Sequence, residues 1–301
     1  MSPAQPHLPG SDRLKSRQAF AKAVGLCHTR RANNTPASGN GSPGSPAASA
    51  ESRLMDTPTL LDWIRRGRTD FVFDLLRSPA WRDALREGPV SALRWFVYYD
   101  DVTALKAVLE AGDDLSGLDV NEELGNAAFF GHWKMCDFLV RLGADVNAAV
   151  EDTGETPLHN ATAKAGRPYY LHVVRLLVEH GANVNARTIP GRETGAFMRD
   201  VRTKGETPLH RAAAYADPAT IAYLLANGAD PEARDAHGNT PLSWASEHLR
   251  PGAVLAQLAH GMHTIGENAR HSITSDHGAG WGNGMEWKLV GEYLPESLLR
   301  P

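Results

Sequence analysis

The sequence predicts an all-α solenoid of about six helix-turn-helix units joined by short hairpin connections. The first observation is a unit of about thirty residues at Gly205–Ala233, in which two short helices with apolar faces follow one another. The second is that similar segments recur at Gly154–Ala186 and Asp235–Gly261. Two helices this short and rich in alanine cannot bury a core alone, so the unit needs copies of itself beside it.

The helices of the Gly205–Ala233 unit have recognisable starts and stops. Thr207 and Pro208 open the first helix, because a threonine hydroxyl accepts from a first-turn N–H and a proline there has no donor to leave unpaired. Asp217 and Pro218 open the second helix in the same way. Gly228 ends it, since glycine tolerates the left-handed cap. The apolar residues of the second helix recur at helical spacing, at Ile221, Leu224 and Leu225.

Alignment of the units on one leucine gives a regular spacing. The aligned residues are Leu60, Leu93, Leu124, Leu158, Leu209 and Leu242, at intervals of 33, 31, 34, 51 and 33. The motifs TPLH, LL and GA(D/N) at this spacing resemble ankyrin repeats, over about residues 57–262. The first three units are degenerate, with Ser91-Ala92-Leu93-Arg94 where TPLH is expected. The resemblance implies a stacked helical array that serves in protein binding.

Three segments are predicted. Residues 1–56 form a basic tail rich in Ala, Ser, Gly and Pro, which lacks the apolar surface needed for order, and Met55 is an alternative start. Residues 57–262 form the array, with Trp63 and Trp81 expected to cover its first end, and residues 263–301 form a capping tail. The repeats are placed near 57–86, 90–118, 121–150, 154–187, 205–235 and 238–261, with an insertion at 188–203.

Composition limits the function classes. The two cysteines, Cys27 and Cys136, cannot form a disulfide framework and favour a reducing compartment. There is no apolar run near the ~18 residues of a membrane span, and no signal-peptide pattern opens the sequence. Residues 1–54 carry a net charge of +5 and the whole chain −4, so residues 55–301 carry −9, which argues against nucleic-acid binding. We therefore expect a cytoplasmic monomer that binds neither membrane nor nucleic acid.

Two histidines invite a catalytic interpretation because each lies close to a threonine. In ankyrin proteins, however, the His and Thr of TPLH join hydrogen bonds that tie the inner helix to neighbouring backbone. Regular recurrence fits that structural role, since an active site occurs once. We therefore predict no enzymatic activity and no catalytic residue. Structural roles are assigned to Thr156, Pro157, His159, Thr207, Pro208, His210, Thr240 and Pro241.

Two insertions interrupt the array. One lengthens the turn within the fourth unit, around residues 165–170, and the other adds about fourteen residues at 188–203. Insertions in repeat proteins map to loops, often on the binding face. We predict that Phe197, Met198 and Arg199 contact a partner, with Phe197 folding back onto the array as the open alternative.

A pair of residues follows the Ala-Ala position of each unit and, in the ankyrin fold, approaches the concave surface. Several of these pairs are aromatic, and clustered Tyr and Phe residues dominate interface energetics because they bury large area at low rotamer cost. The alternative is that one member of each pair turns into the core. The predicted partner-binding residues are Tyr98, Tyr99, Phe129, Phe130, Lys164, Tyr215 and His248, with Asp152, Lys204 and His237 at hairpin tips.

The predicted function is a non-enzymatic scaffold that binds another protein through the concave face and the inserted loop, with no cofactor and no metal. The alternative is a metal-dependent or enzymatic module on the C-terminal tail, where His271, Asp276 and His277 would act with His248. The histidine spacing of the tail fits no compact metal motif, and its tryptophans favour packing on the last repeat.

Overall fold

The computed structural model describes residues 55–164, 167–192 and 204–260, and the regular secondary structure of these residues is helical, without a strand. They contain thirteen α-helices and one short 3₁₀ turn. The expectation of an all-α array of helix-turn-helix repeats is confirmed. The described residues form two compact units, which divide between Asp119 and Val120.

The first unit contains two repeats and one additional helix. Inner helix α1 (Thr57–Arg65) packs on inner helix α4 (Ala92–Tyr98), and outer helix α2 (Val72–Leu75) packs on outer helix α5 (Val102–Glu110). Pro58 lies at the start of α1, and Gly67 reverses the chain after it with a φ of 95°. The helices are α1 (Thr57–Arg65), α2 (Val72–Leu75, after the 3₁₀ turn Thr69–Phe71), α3 (Trp81–Arg86), α4 (Ala92–Tyr98) and α5 (Val102–Glu110).

Helix α3 lies outside the two-helix pattern and was not predicted. It has six residues and no side-chain cap, so its pattern is too short to separate from the first unit. Trp81 at its start is buried at 7% exposure, whereas Trp63, expected to share its role, is 38% exposed. At its end, Arg86 donates to both carboxylate oxygens of Asp113 at 2.8 and 3.1 Å. Arg86 also donates from Nε to the Ser116 carbonyl at 2.8 Å, so α3 is fastened to the loop after α5.

The second unit contains four repeats. Inner helices α6, α8, α10 and α12 pack in that order, and outer helices α7, α9 and α11 pack in parallel with them. Five of the six aligned leucines occupy the core, because Leu60, Leu93, Leu124, Leu158 and Leu209 are each exposed by 3% or less. The sixth, Leu242 of the last described repeat, is half-buried. The helices are α6 (Val120–Phe130), α7 (Trp133–Arg141), α8 (Pro157–Ala161), α9 (Tyr170–Glu179), α10 (Pro208–Tyr215), α11 (Pro218–Ala226), α12 (Pro241–Glu247) and α13 (Gly252–His260).

The TPLH histidines connect each repeat to the next. His159 Nδ1 accepts from the Thr156 N–H at 3.2 Å, which leaves Nε2–H to donate to the Glu206 carbonyl at 3.2 Å. His210 makes the same two bonds: its Nδ1 accepts from the Thr207 N–H at 3.2 Å, and its Nε2–H donates to the Asn239 carbonyl at 3.1 Å. Each imidazole therefore closes a capping box at its own helix and bridges to the following unit.

In the last TPLH-like segment a serine stands in place of the histidine. Ser243 and Thr240 complete a capping box, with the Ser243 N–H donating to Thr240 Oγ1 at 3.3 Å. Within the described part of the chain, the Ser243 side chain bonds to Thr240 of its own repeat and makes no bridge like those of the histidines.

Two asparagines link the hairpin tips of the second unit. Asn147 Nδ2 donates to the Gly181 carbonyl at 2.9 Å, and its Oδ1 accepts from the Asn183 N–H at 2.8 Å. Asn185 makes the same pair of bonds one repeat later, to the Gly228 carbonyl and from the Asp230 N–H. The amide side chains thus satisfy backbone groups of the neighbouring loop, and they set the spacing of the tips.

Candidate functional site

Five side chains lie at or just after the C-terminal ends of inner helices in the second unit, and they are here called the inner-helix surface: Phe129, Phe130, Lys164, Tyr215 and His248. Phe129 and Phe130 end α6, Lys164 follows α8, Tyr215 ends α10 and His248 caps α12. The helix starts are bridged by the TPLH histidines, so the helices run side by side and their ends meet at a common edge.

A lysine covers the aromatic pair at the end of α6. The rings of Phe129 and Phe130 meet edge to face with centroids 5.3 Å apart. Lys164 Nζ lies 4.1 Å from the Phe129 centroid and 5.1 Å from that of Phe130, within cation–π range of both. Both phenylalanines are partly exposed, so neither has turned fully into the core. The backbone of Phe129 is also held by Tyr170, whose hydroxyl donates to the Phe129 carbonyl at 2.7 Å.

The environment of Lys164 changes its protonation. Burial against the aromatic rings, followed by the positive charge of Arg167, lowers the pKa of Lys164 from 10.5 to about 8. Arg167 is held by the hydroxyl of Tyr169, to which its Nη1 donates at 2.9 Å. Among the described residues no carboxylate forms an ion pair with Lys164 to oppose these effects.

Tyr215 and His248 form the second half of the inner-helix surface. His248 Nδ1–H donates to the Trp244 carbonyl at 2.8 Å, so Nε2 of the neutral ring accepts from the Tyr215 hydroxyl at 2.9 Å. The two rings meet edge to face at 4.9 Å. Lys204 Nζ lies 5.2 Å from the ring centroid of Trp244, which is buried beneath. This end of the unit therefore offers a tyrosine held by a hydrogen bond and an exposed histidine.

The first unit has an aromatic pair of its own at the end of α4. Tyr98 and Tyr99 meet edge to face at 4.9 Å, and Tyr99 stacks on Trp95 at 6.0 Å. The Tyr99 hydroxyl donates to the Arg65 carbonyl at 2.8 Å. Both tyrosines are half-buried, and both rings pack against the buried ring of Trp95.

The remaining predicted partner-binding residues fall into two groups. Asp152 and His237 are exposed at hairpin tips, and Lys204 is half-buried beside Trp244. Phe197, Met198 and Arg199 lie outside the described residues, as do the tail histidines and Asp276.

A buried charge cluster in the second unit was missed by the sequence analysis. Arg211 is 3% exposed and lies between two buried carboxylates. Its Nη1 donates to Glu155 Oε1 at 2.7 Å, and its Nη2 and Nε donate to Glu206 Oε1 at 2.7 and 3.0 Å. The repeated GETPLH segments gave a signal, since both glutamates precede the motif, but only one repeat carries the arginine.

The same cluster fastens both ends of the 188–203 insertion. Glu206 Oε2 accepts from the Thr188 hydroxyl and from the Lys204 N–H, each at 2.6 Å. The Thr188 N–H also donates to the Glu206 carbonyl at 3.1 Å. One glutamate therefore joins the residues at which the chain leaves the array and returns to it.

The described residues offer no alternative metal site, since no three His, Cys, Asp or Glu side chains within them lie close enough together to hold an ion.

Within the same ranges, no helix combines the length and the apolar character that crossing a bilayer requires.

Comparison with known proteins agrees with this architecture. A model of ankyrin repeats in three copies matches residues 93–188, and a model of ankyrin repeats in many copies matches residues 198–245. The human B-cell lymphoma 3 protein is 30% identical over 126 residues, which are 41% of this chain and 25% of that protein. The human transient receptor potential cation channel subfamily A member 1 is 25% identical over 180 residues, 51% of this chain and 16% of that protein.

A third relative is the E3 ubiquitin-protein ligase Ufd4 of Drosophila melanogaster, 36% identical over 110 residues, 36% of this chain and 3% of that protein. The chain thus spans a quarter or less of the length of each of these relatives. The similarity lies in the repeats, where the family models, the capping boxes and the helix order agree. The chain is an ankyrin-repeat protein.

Proposed function

We propose that the chain is a non-enzymatic scaffold that binds a partner protein through the inner-helix surface of its second unit, assisted by the 188–203 insertion. Ankyrin repeats as a family support a protein-interaction role. The inner-helix surface is proposed as the binding site because partly exposed aromatic and cationic side chains cluster at the helix ends.

The composition of this surface suits recognition. Phe129, Phe130 and Tyr215 supply rigid aromatic area at low entropic cost, and their orientations are fixed by contacts with Lys164 and His248. A surface whose rotamers are fixed before binding loses less side-chain freedom on association. Such pre-organised aromatic residues are the type that dominates binding energy in protein interfaces.

The test compares the inner-helix surface with the outer helices. The double variant Phe130→Ala/Tyr215→Ala removes aromatic area from the surface, and Trp133→Ala removes an exposed tryptophan, 44% accessible, from outer helix α7 as a matched control. Proteins that co-purify with the intact chain are quantified against both variants, with circular dichroism confirming the fold. We expect the amount of captured partner to fall at least tenfold in the double variant and to stay unchanged in Trp133→Ala. The reverse pattern would move the binding site to the outer helices.

The second candidate, a metal-dependent module on the C-terminal tail, involves one described residue. Both ring nitrogens of His248 are engaged, by the Trp244 carbonyl and the Tyr215 hydroxyl. A metal would have to displace the tyrosine from Nε2, and this observation favours the scaffold. Elemental analysis of the purified full chain tests it, because a stoichiometric transition metal lost in His248→Ala would support the metal module instead.

A further inference from the structure

Lys164 combines two features that activate an amine. Its Nζ is half-buried against Phe129 and Phe130, and the neighbouring charge is the guanidinium of Arg167. Both desolvation and a nearby cation disfavour the ammonium form, and together they are the usual means by which a lysine becomes a nucleophile. The side chain remains partly open to solvent, so a small reagent can reach it.

We propose that Lys164 is a nucleophilic amine and a modification site that accepts an acyl group from a thioester donor. After the ammonium loses its proton to water, the Nζ lone pair attacks the thioester carbonyl carbon. The N–C bond forms, the C–S bond breaks, and the sulfur leaves as a thiolate, which takes up the proton that the attacking nitrogen releases. The products are an amide at Lys164 and a free thiol, with no change of oxidation state.

The reaction changes the inner-helix surface. The ammonium is still the larger fraction of Lys164 at pH 7.5, and acylation permanently removes the positive charge that this form places over the two rings, 4.1 Å from Phe129 and 5.1 Å from Phe130. The lysine then loses its electrostatic attraction to the aromatic faces, and both the charge and the shape of this region change. The modification would act as a switch on the surface, whichever molecule that surface binds.

Lys134 provides an internal control. Its Nζ also lies over an aromatic ring, 5.8 Å from the Trp133 centroid, but it is exposed on outer helix α7. The two lysines thus share a cation–aromatic contact and differ in burial. In the full chain, both can be followed in a single reaction.

The experiment treats the full chain with a limiting amount of a small acetyl thioester at pH 7.5 and measures the acetylation rate of each lysine by peptide mass spectrometry. With a pKa near 8, a larger fraction of Lys164 is free amine at this pH than for an ordinary lysine. A less basic amine is also a weaker nucleophile, which offsets part of the gain in rate. We therefore expect Lys164 to react about tenfold faster than Lys134. Equal rates at the two lysines, or a slower rate at Lys164, would overturn the proposal.

A variant isolates the contribution of Arg167. Arg167 is exposed, so Arg167→Gln removes the cation without disturbing the core. The rate at Lys164 should fall several-fold and its pH profile should move to higher pH, while the rate at Lys134 stays constant. Because no partner protein is involved, this outcome is independent of the test of the scaffold function.

Discussion

Arg211 donates two hydrogen bonds to a single oxygen of Glu206, from Nε at 3.0 Å and from Nη2 at 2.7 Å, within the interior of the second unit. The other oxygen of Glu206 is left to accept from Thr188 and Lys204. Burial alone would lower the pKa of Arg211, but the charges of Glu155 and Glu206 outweigh it and raise that pKa. Burial would raise the pKa of Glu206, but the charge of Arg211 and the hydrogen bonds from Thr188 and Arg211 outweigh it and lower that pKa. The charged forms of Arg211 and Glu206 therefore stabilise each other.

Replacing the arginine should be strongly destabilising. Arg211→Met leaves Glu155 and Glu206 buried without their counter-charge, at side-chain exposures of 3% and 0%. Loss of one partner from a buried ion pair costs about 3–5 kcal/mol in free energy of unfolding. Equilibrium urea denaturation followed by circular dichroism measures this loss.

The control for that variant neutralises the carboxylates as well. Glu155→Gln/Arg211→Met/Glu206→Gln contains no uncompensated charge, and glutamine at 206 keeps an acceptor for the Thr188 hydroxyl. We expect it to recover more than half of the lost stability. A loss below about 1 kcal/mol for Arg211→Met alone would show that the charges contribute little to the fold.

Thr188→Val tests the bond at the start of the insertion. The substitution keeps the volume but removes the hydroxyl that donates to Glu206 Oε2 at 2.6 Å in a site where Thr188 is 4% exposed. Because Oε2 keeps the bond from the Lys204 N–H, the loss is that of one hydrogen bond to a charged group, about 1.5–3 kcal/mol, to be measured by urea denaturation. Thr188→Ser retains the hydroxyl and should lose less than half as much. Equal losses for the two variants would assign the effect to packing.

The repeats were predictable, and the cluster was not, for a physical reason. Leucines at regular intervals and Thr-Pro helix starts are local signals, and they gave the helix order of the array. Arg211 pairs with Glu155 across 56 positions of sequence, and no local pattern specifies such a contact. Helix α3 was missed because it is short and uncapped.

The residues of the inner-helix surface were predictable from the sequence, but the contacts and burial of their side chains were not. The sequence placed Phe129, Phe130 and Lys164 at corresponding positions of neighbouring repeats. It could not show that the lysine lies over both rings, because that depends on the distance between packed helices. Nor could the sequence show that Phe129 and Phe130, whose rings contact each other, would both be half-buried.

The buried histidines predict a loss of stability in acid. Burial, followed by the charge of Arg211, lowers the pKa of His159 from 6.5 to about 3, and burial also lowers that of His210. The unfolded chain then binds more protons, so stability is complete above about pH 6.5 and falls as the pH is lowered towards 3. For His159 the loss at pH 5 is roughly 2 kcal/mol. Thermal unfolding at pH 7.5, 6 and 5 measures it.

The matching variant is His159→Gln. It removes the titrating group, and we expect lower stability at pH 7.5 because the bridge from Thr156 to Glu206 is weakened. The fall in melting temperature between pH 7.5 and 5 should, however, become smaller than in the unmodified chain. An unchanged pH dependence would mean that groups other than His159 control the acid response.

Gly131 and Gly228 allow backbone strain to be separated from steric contact. Both are in the left-handed region, at φ values of 77° and 87°, so a change to alanine costs about 1 kcal/mol at either position. A Cβ on Gly131 would lie 2.6 Å from Tyr169 Cε2 and 3.0 Å from Tyr170, whereas a Cβ on Gly228 meets nothing within 4 Å. Gly131→Ala should therefore lose a further ~1–3 kcal/mol in urea denaturation, because Tyr170 is buried and cannot move away freely. Equal losses in the two variants would mean that the tyrosines yield without cost, and that glycine at 131 is required by backbone conformation alone.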